Sequence, residues 1–145
     1  MAHTIRLAAA QVRTLKSTSA TLSALEATAT EAAHQDVDLL LFPEAYLGGY
    51  PRGASFGAAV GARDPSGKEQ FLNYFKDAID LGDGPLEGGE KWVRRDGGVR
   101  GDGTREELER ISKETGVFLV VGVVERAGGT LYCSVVYVDP KNGGQ

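Results

Sequence analysis

The continuous apolar run Leu39–Phe42 constrains the fold of this chain more than any other feature of the sequence. A strand has this composition when both of its faces are covered, as in the parallel sheets of α/β proteins. Before the run lies Thr18–Gln35, whose apolar residues recur at helical spacing, and before that lies the short apolar segment Ile5–Val12. A strand, a helix and a strand within about 40 residues form a βαβ unit, whose crossover makes the two strands parallel. The sequence therefore predicts an α/β fold.

Glu44 comes directly after this predicted strand. Pro43 ends the strand because proline lacks the N–H that a ladder hydrogen bond requires. Glu44 should then lie just past the carboxyl end of a buried strand, where open α/β sheets place their ligand sites. The aromatic residues around it, Phe42, Tyr46 and Tyr50, should partly desolvate the carboxyl group and raise its pKa toward the range useful for proton transfer. We therefore predict a catalytic role for Glu44, and a solvated loop glutamate is the alternative.

The 20 glycines of the chain cluster in its middle, which predicts long loops rather than repeats. Residues 45–67 are predicted to be mostly loop, and Gly82–Gly103, which is glycine-rich and charged, to be a surface excursion. Between them, Lys68–Leu81 is predicted to be a helix with Gly82 as its C-cap. Its apolar face should hold Phe71, Phe75, Ala78 and Ile79.

A helix and a hairpin are predicted for the last third of the chain. Thr104–Glu107 forms a capping box, in which the threonine caps the helix, and Gly116 ends that helix. Val117–Val124 and Thr130–Val138 are β-branched runs separated by a turn, which predicts a β-hairpin. Asp139–Gly143 is a turn signal that requires a further strand. We therefore expect these residues to be part of a larger domain.

Composition excludes several classes of function. With 41% hydrophobic and 25% charged residues, the 145-residue chain is neither disordered nor membranous and suffices for one domain. A net charge of −4, without a basic patch among aromatic residues, gives no support for nucleic-acid binding. No apolar run reaches membrane-spanning length, and a single cysteine cannot form an internal disulfide, so a cytoplasmic location is expected. One cysteine and two unclustered histidines predict no transition-metal site, and we expect no cofactor.

Three further patterns compete with Glu44 for a functional role. Gly53–Gly57 matches the G-x-S-x-G nucleophile elbow around Ser55, but both histidines of the chain precede this serine, whereas that fold places its histidine after it. Gly61–Lys68 resembles a phosphate loop but has the wrong glycine spacing. Cys133 lies in an alternating strand, where a small, buried and inert thiol is expected. A serine hydrolase that uses Ser55 therefore remains an alternative only.

The segment FPEAYLGGYPRG, residues 42–53, resembles the first catalytic block of the nitrilase and cyanide hydratase family of carbon–nitrogen hydrolases. The resemblance covers nearly the whole chain and is weakest over residues 82–99. It also includes, in order, residues 5–12 with Ala10-Gln11, residues 100–104, residues 116–118 and residues 129–133. An ordered set of this kind is more specific than a single dipeptide.

The resemblance implies an α-β-β-α sandwich of two sheets and a catalytic triad of glutamate, lysine and cysteine. Glu44 matches the family's general base. In the family, the cysteine thiolate attacks the nitrile carbon, and the resulting thioester is hydrolysed to a carboxylic acid and ammonia. This chain stops in the turn before the family's lysine, and the cysteine follows later still. The resemblance thus implies that residues 1–145 are the N-terminal part of one hydrolase domain, truncated before both segments and inactive alone.

The resemblance also bears on the substrate and on partners. Tyr50 and Arg52 are expected to line the substrate pocket, and their segment leans toward small aryl or arylaliphatic nitriles rather than cyanide. Family members form homo-oligomers, so a lone monomer is not expected. The alternative is a non-catalytic, truncated paralogue that associates with full-length subunits. An incomplete sandwich would leave a sheet edge and an apolar face uncovered.

Overall fold

The apolar segments of the sequence become neighbouring strands of one mixed sheet. The computed structural model describes residues 4–51, 64–82 and 101–144. Within these ranges the strands lie in the order β1-β2-β3-β4-β5. They are β1 (Leu7–Ala9), β2 (Leu39–Leu41), β3 (Phe118–Ala127), β4 (Thr130–Asp139) and β5 (Gly143–Gly144). The strands β1, β2 and β3 pair in parallel, and β3, β4 and β5 pair antiparallel, which confirms the predicted α/β class and the hairpin.

The helices of the described residues are α1 (Thr18–His34), α2 (Pro65–Asp77) and α3 (Thr104–Thr115). The helix α1 begins at Ser17, whose hydroxyl oxygen accepts a hydrogen bond from the Ala20 N–H at 3.2 Å. The helix α3 ends at Gly116, which has the left-handed φ of +73° that glycine adopts without strain. None of the helices seen in these ranges combines the length and apolar character needed to cross a membrane.

The helix α2 lies earlier in the chain than predicted. It begins at Asp64, whose carboxylate accepts from the Ser66 N–H at 2.8 Å, and Pro65 suits its first turn. It ends at Asp77 because Ala78 is extended, with φ −64° and ψ 140°. Ile79 therefore leaves the helix and forms an isolated parallel bridge with Glu125 of β3. The predicted C-cap at Gly82 and the predicted four-residue apolar face were wrong.

The predicted capping box at the start of α3 was also wrong. The N-cap is Gly103, which has a φ of +90° and no side chain with which to cap, and Thr104 is the first helical residue. Asp102 takes over the role of acceptor, since its Oδ1 receives the Thr104 N–H at 2.9 Å. The Asp-Gly pair shifts the cap upstream of the threonine.

The helices α1 and α3 cover one face of the sheet. Leu40, Leu119 and Val138 form one register row on this face, and each is at most 2% exposed. They share a core cluster with Leu25 of α1 and Leu108 of α3. Truncating one buried leucine costs about 2–5 kcal/mol, so this one-sided core fixes the helices against the sheet.

The opposite face of the sheet is largely uncovered. Four apolar side chains on it, which we call the open face, are between 46% and 70% exposed: Leu7, Leu41, Val135 and Tyr137. Among the described residues, the helix α2 and the chain after β2 cover this side around Gly122 and around Val124, which is 1% exposed. An uncovered apolar face was expected from the predicted incomplete sandwich, and that incompleteness stays a prediction.

Candidate active site

The chain leaves β2 and crosses over β3 at Gly122. The Phe42 N–H donates to the Val120 carbonyl at 2.8 Å, and the Leu47 N–H donates to the Gly122 carbonyl at 3.2 Å. Between these bonds, residues 43–46 arch over Gly122, where a Cβ atom would lie 2.4 Å from the Pro43 carbonyl oxygen. Only glycine fits at this crossing, and the crossing sets the backbone position of Glu44.

Buried aromatic rings hold this arch against the core. The side chains of Phe42 and Tyr46 are 2% and 1% exposed, and their rings stack with centroids 5.2 Å apart. The Thr14 hydroxyl donates to the Tyr46 carbonyl at 3.0 Å. Ala45 has a φ of +49°, a left-handed conformation that costs an L-residue about 1–2 kcal/mol. The rings of Phe42 and Tyr46 are turned into the core, whereas the side chain of Glu44 is exposed.

Three side chains meet at the end of this arch, and we call them the Glu44 cluster: Glu44, Tyr50 and Cys133. The Tyr50 hydroxyl donates to Glu44 Oε1 at 2.5 Å, and the Cys133 thiol donates to the same oxygen at 3.4 Å. The Tyr50 oxygen and the Cys133 sulfur are 3.1 Å apart, close enough to hydrogen-bond in either direction. One carboxylate oxygen thus lies within reach of a phenol and a thiol.

Hydrogen bonds, rather than burial, set the protonation of Glu44. The Tyr50 hydroxyl, and then the Cys133 thiol, lower the pKa of the Glu44 carboxyl, and a smaller desolvation effect opposes them. Donors stabilise the charged form of a carboxyl group, whereas burial destabilises it. The expected rise in the pKa was therefore wrong for this chain, because Glu44 is exposed and the aromatic rings of Phe42 and Tyr46 point away into the core.

The same contacts act in the opposite direction on Tyr50. Its hydrogen bonds to Cys133 and then to Glu44 raise the pKa of the Tyr50 phenol. Deprotonation would remove the donor and place a phenolate beside a carboxylate. Tyr50 therefore remains a hydrogen-bond donor across the physiological pH range.

Cys133 does not have the buried environment that the sequence predicted. It shares a face of β4 with Val135 and Tyr137, as the alternation indicated, but that face is the uncovered one and the thiol is exposed. Its register partner is Val124, which lies beneath Ala45 and so places Cys133 next to the arch. Sequence reasoning missed this contact because Glu44 and Cys133 are 89 residues apart. Strand alternation combined with the hairpin register was the signal that could have found it.

Of the other predicted site residues, the structure describes only Tyr50. Tyr50 is 50% exposed and belongs to the Glu44 cluster. Arg52 lies outside the described residues, as does Ser55 with its G-x-S-x-G segment. The geometry therefore joins two of the sequence candidates, Glu44 and Tyr50, and adds Cys133 to them.

A cavity of about 330 Å³ adjoins the cluster through Tyr50. Its lining also includes Thr14, Lys16, Asn73 and Tyr74. Pockets for small organic ligands typically measure about 300–1,000 Å³, so the cavity is large enough for a molecule of this kind. Tyr50 lines the cavity and also donates to Glu44, which is itself not among the lining residues.

Comparison with known proteins identifies similar chains. The family model for carbon–nitrogen hydrolases matches residues 6–143. An arylacetonitrilase of Trametes versicolor is 41% identical over 145 residues, which cover 99% of this chain and 39% of that protein. A bifunctional nitrilase/nitrile hydratase of Nicotiana tabacum is 39% identical over 140 residues, covering 94% of this chain and 34% of the relative. The chain spans little more than a third of the length of these relatives.

Solved structures share the fold at lower sequence identity. An amidase from Nesterenkonia sp. superposes with a TM-score of 0.55 at 15% identity, over 97% of this chain and 40% of that one. A carbon–nitrogen hydrolase from Helicobacter pylori gives a TM-score of 0.52 at 13% identity, over 97% of this chain and 37% of that one. At this identity the comparison concerns the fold alone.

Proposed function

Because this chain belongs to the carbon–nitrogen hydrolase family, we propose that it supplies the proton-accepting glutamate, Glu44, of an enzyme that hydrolyses small organic nitriles. The observation that supports the proposal is the Glu44 cluster at the carboxyl end of β2. A general base must be ionised before it can accept a proton. The two donors of the cluster favour the ionised carboxylate.

The lowered pKa of Glu44 belongs to an exposed carboxyl group. If further protein covered the open face, it would also remove water from the cluster. Desolvation would then raise the pKa toward the working range of a base, while the hydrogen bonds to Tyr50 and Cys133 would hold it down. The opposing effects would leave a carboxylate that is ionised at neutral pH and still able to accept a proton.

In the reaction that we propose, one nitrile and two water molecules give a carboxylic acid and ammonia. Glu44 takes a proton from the water that attacks the acyl intermediate, and it returns a proton to the leaving nitrogen. We propose that neither the nucleophilic cysteine nor the lysine of the family triad is among these 145 residues. We therefore propose that the chain by itself does not turn over nitriles.

The substrate class that we propose is an aryl or arylaliphatic nitrile. One relative, at 41% identity, bears the name arylacetonitrilase, and another source of support is the cavity beside Tyr50. An aromatic ring on the substrate could pack against the rings of Tyr50 and Tyr74, which both line this cavity. We expect the enzyme to work in the cytoplasm, where the thiol of the cluster stays reduced.

Ammonia release tests the proposal in two settings. The purified chain should release no more ammonia than its Glu44→Ala variant from aryl, arylaliphatic and aliphatic nitriles or from cyanide. A chimaera, in which these residues replace the matching part of the Trametes versicolor relative, should release ammonia. In the chimaera, Glu44→Gln should lower kcat/KM by at least about 100-fold. Glu31→Gln is the control, because Glu31 lies on the exposed face of α1.

Two outcomes would overturn parts of this proposal. Turnover by the Glu44→Gln chimaera at the rate of the parent chimaera would contradict the proposed role of Glu44 as the general base. Ammonia release by the isolated chain that disappears in Glu44→Ala would instead show that the nucleophile is present, and Cys133 would be the first residue to replace.

A non-catalytic role is the second candidate, and the open face is the observation that favours it. Four exposed apolar side chains on one sheet face would stabilise association with full-length subunits or between copies of this chain. Light scattering after size exclusion should then give a mass above that of the 15.4 kDa monomer. A monomer whose mass does not change with added full-length relative would argue against this role.

A further inference from the structure

Cys133 has no bond-making part in the proposed reaction, yet its thiol lies in the Glu44 cluster. We infer that Cys133 is a positioning residue, which orients the Glu44 carboxylate and the Tyr50 hydroxyl by contacting both from β4. The inference rests on the proposed role of Glu44 as the base. It concerns the direction in which that base points.

The strand β4 is the most firmly held element at the cluster. Cys133 pairs with Val124 in the antiparallel ladder between β3 and β4, and Val124 is fully enclosed. Glu44 and Tyr50, in contrast, lie in the loop segment after β2. The thiol therefore gives two loop side chains a common contact on the sheet, 3.4 Å from Glu44 Oε1 and 3.1 Å from the Tyr50 oxygen.

The hydrogens of the cluster suffice for these contacts. The Tyr50 hydroxyl gives its one hydrogen to Glu44 Oε1 at 2.5 Å. The thiol hydrogen then goes either to the free lone pair of the Tyr50 oxygen or to the same carboxylate oxygen. In either arrangement the thiol acts as a donor within the Glu44 cluster.

The surroundings of Cys133 offer a matched control. Tyr74, on α2, is a further neighbour of the thiol: burial, and to a smaller degree Cys133, raise the pKa of the Tyr74 phenol.

The control is Ser134, the residue after Cys133. Its side chain points to the other face of β4, and its hydroxyl donates to Glu125 at 2.9 Å. A change at Ser134 therefore alters β4 without touching the Glu44 cluster.

The experiment measures first the titration of the Glu44 carboxyl group and then the activity of the chimaera. Carbon-13 NMR follows the Glu44 carboxyl resonance with pH in the 145-residue chain, and Glu44→Gln assigns the resonance. Cys133→Ala should raise the titration midpoint, because one donor to the carboxylate is lost. Cys133→Ser, which keeps a donor, should restore most of the shift, and Ser134→Ala should leave the midpoint unchanged.

In the chimaera, Cys133→Ala should lower kcat/KM by about 3- to 10-fold and move the acid limb of its pH profile upward, while Cys133→Ser should recover both. An unchanged midpoint and pH profile in Cys133→Ala would overturn the positioning role. Equal, complete loss of activity in both Cys133 variants, with an unchanged midpoint, would also overturn it and indicate a nucleophile. Activity in Glu44→Gln would instead overturn the proposed function, whatever the Cys133 variants do.

Discussion

Adding one methyl group at Gly122 tests whether the close crossing of β3 holds Glu44 in place. A Cβ atom there would lie 2.4 Å from the Pro43 carbonyl oxygen and 2.6 Å from the Glu44 Cα, although such contacts essentially do not occur below 3.0 Å. The arch must retreat by about 0.6 Å at the oxygen and about 0.4 Å at the Cα. Both atoms belong to the backbone, so no side-chain rotation can relieve the clash.

Gly122→Ala should therefore lower the free energy of unfolding by about 1–3 kcal/mol, the usual cost of overpacking. Since a misplacement of about 1 Å can reduce turnover about 100-fold, the shifted Glu44 should lower kcat/KM of the chimaera by about 10- to 100-fold. Urea unfolding of the chain and ammonia release by the chimaera measure the two effects.

Gly129→Ala is the matched control, because a Cβ at Gly129 would meet nothing within 4 Å and the residue lies in the turn after the same strand. Stability within about 0.5 kcal/mol of this control, together with unchanged turnover, would refute the reasoning. It would mean that the arch can move aside without displacing the carboxylate.

Further variants test the core, the buried polar contacts and the surface charges. Leu119→Ala should cost about 2–5 kcal/mol in urea unfolding, whereas Val135→Ala on the open face should cost less than about 0.5 kcal/mol; similar losses would contradict the one-sided core. Ser112→Ala should cost about 1–3 kcal/mol, because the single hydrogen of the buried hydroxyl is shared between two main-chain carbonyls, which lie 2.7 and 3.1 Å from the hydroxyl oxygen. A loss near zero would show that these carbonyls find other donors. Arg110→Ala should lower the free energy of unfolding only slightly, since its ion pairs are solvent-exposed, and the loss should shrink in high salt. The hydrogen bond from Arg110 lowers the pKa of Glu107, so the stability that this ion pair contributes is present at neutral pH and is lost as the pH falls through the lowered pKa. The urea unfolding curves of the parent chain and of Arg110→Ala should therefore converge in acid.

The parts of the fold that follow from local patterns were predictable. The strand–helix–strand unit is marked by an apolar run, a 3.6-residue period and a second apolar run, and these persist as β1, α1 and β2. The position of Glu44 at the end of β2 follows from Pro43, which is local information too. The end of α2 was not predictable in this way, because Ile79 lies outside the helix and forms a bridge with Glu125 of β3, which is distant in the sequence.

The chemistry of the site depended on long-range geometry and was harder to predict. The aromatic residues before Tyr50 suggested a desolvated carboxyl group, but their side chains pack into the core and leave Glu44 exposed. Alternation along β4 gave the correct face for Cys133, but it could not show that this face is bare. Residue spacing indicates which side chains share a face, whereas burial depends on what covers that face.

The two strands that pair with β3 differ greatly in their sequence separation from it. Its pairing with β4 begins at Ala127 and Thr130, whereas Leu39 of β2 pairs with Phe118, about 80 residues further on. Pairings between distant segments form slowly, so the hairpin should fold first and the parallel pairing that brings the arch over Gly122 should fold late. Pulsed hydrogen exchange should find the β3 and β4 amides protected before those of β2. During synthesis, the apolar run of β2 leaves the ribosome well before β3 has been made, so this run stays without that strand partner and prone to aggregation in the interval.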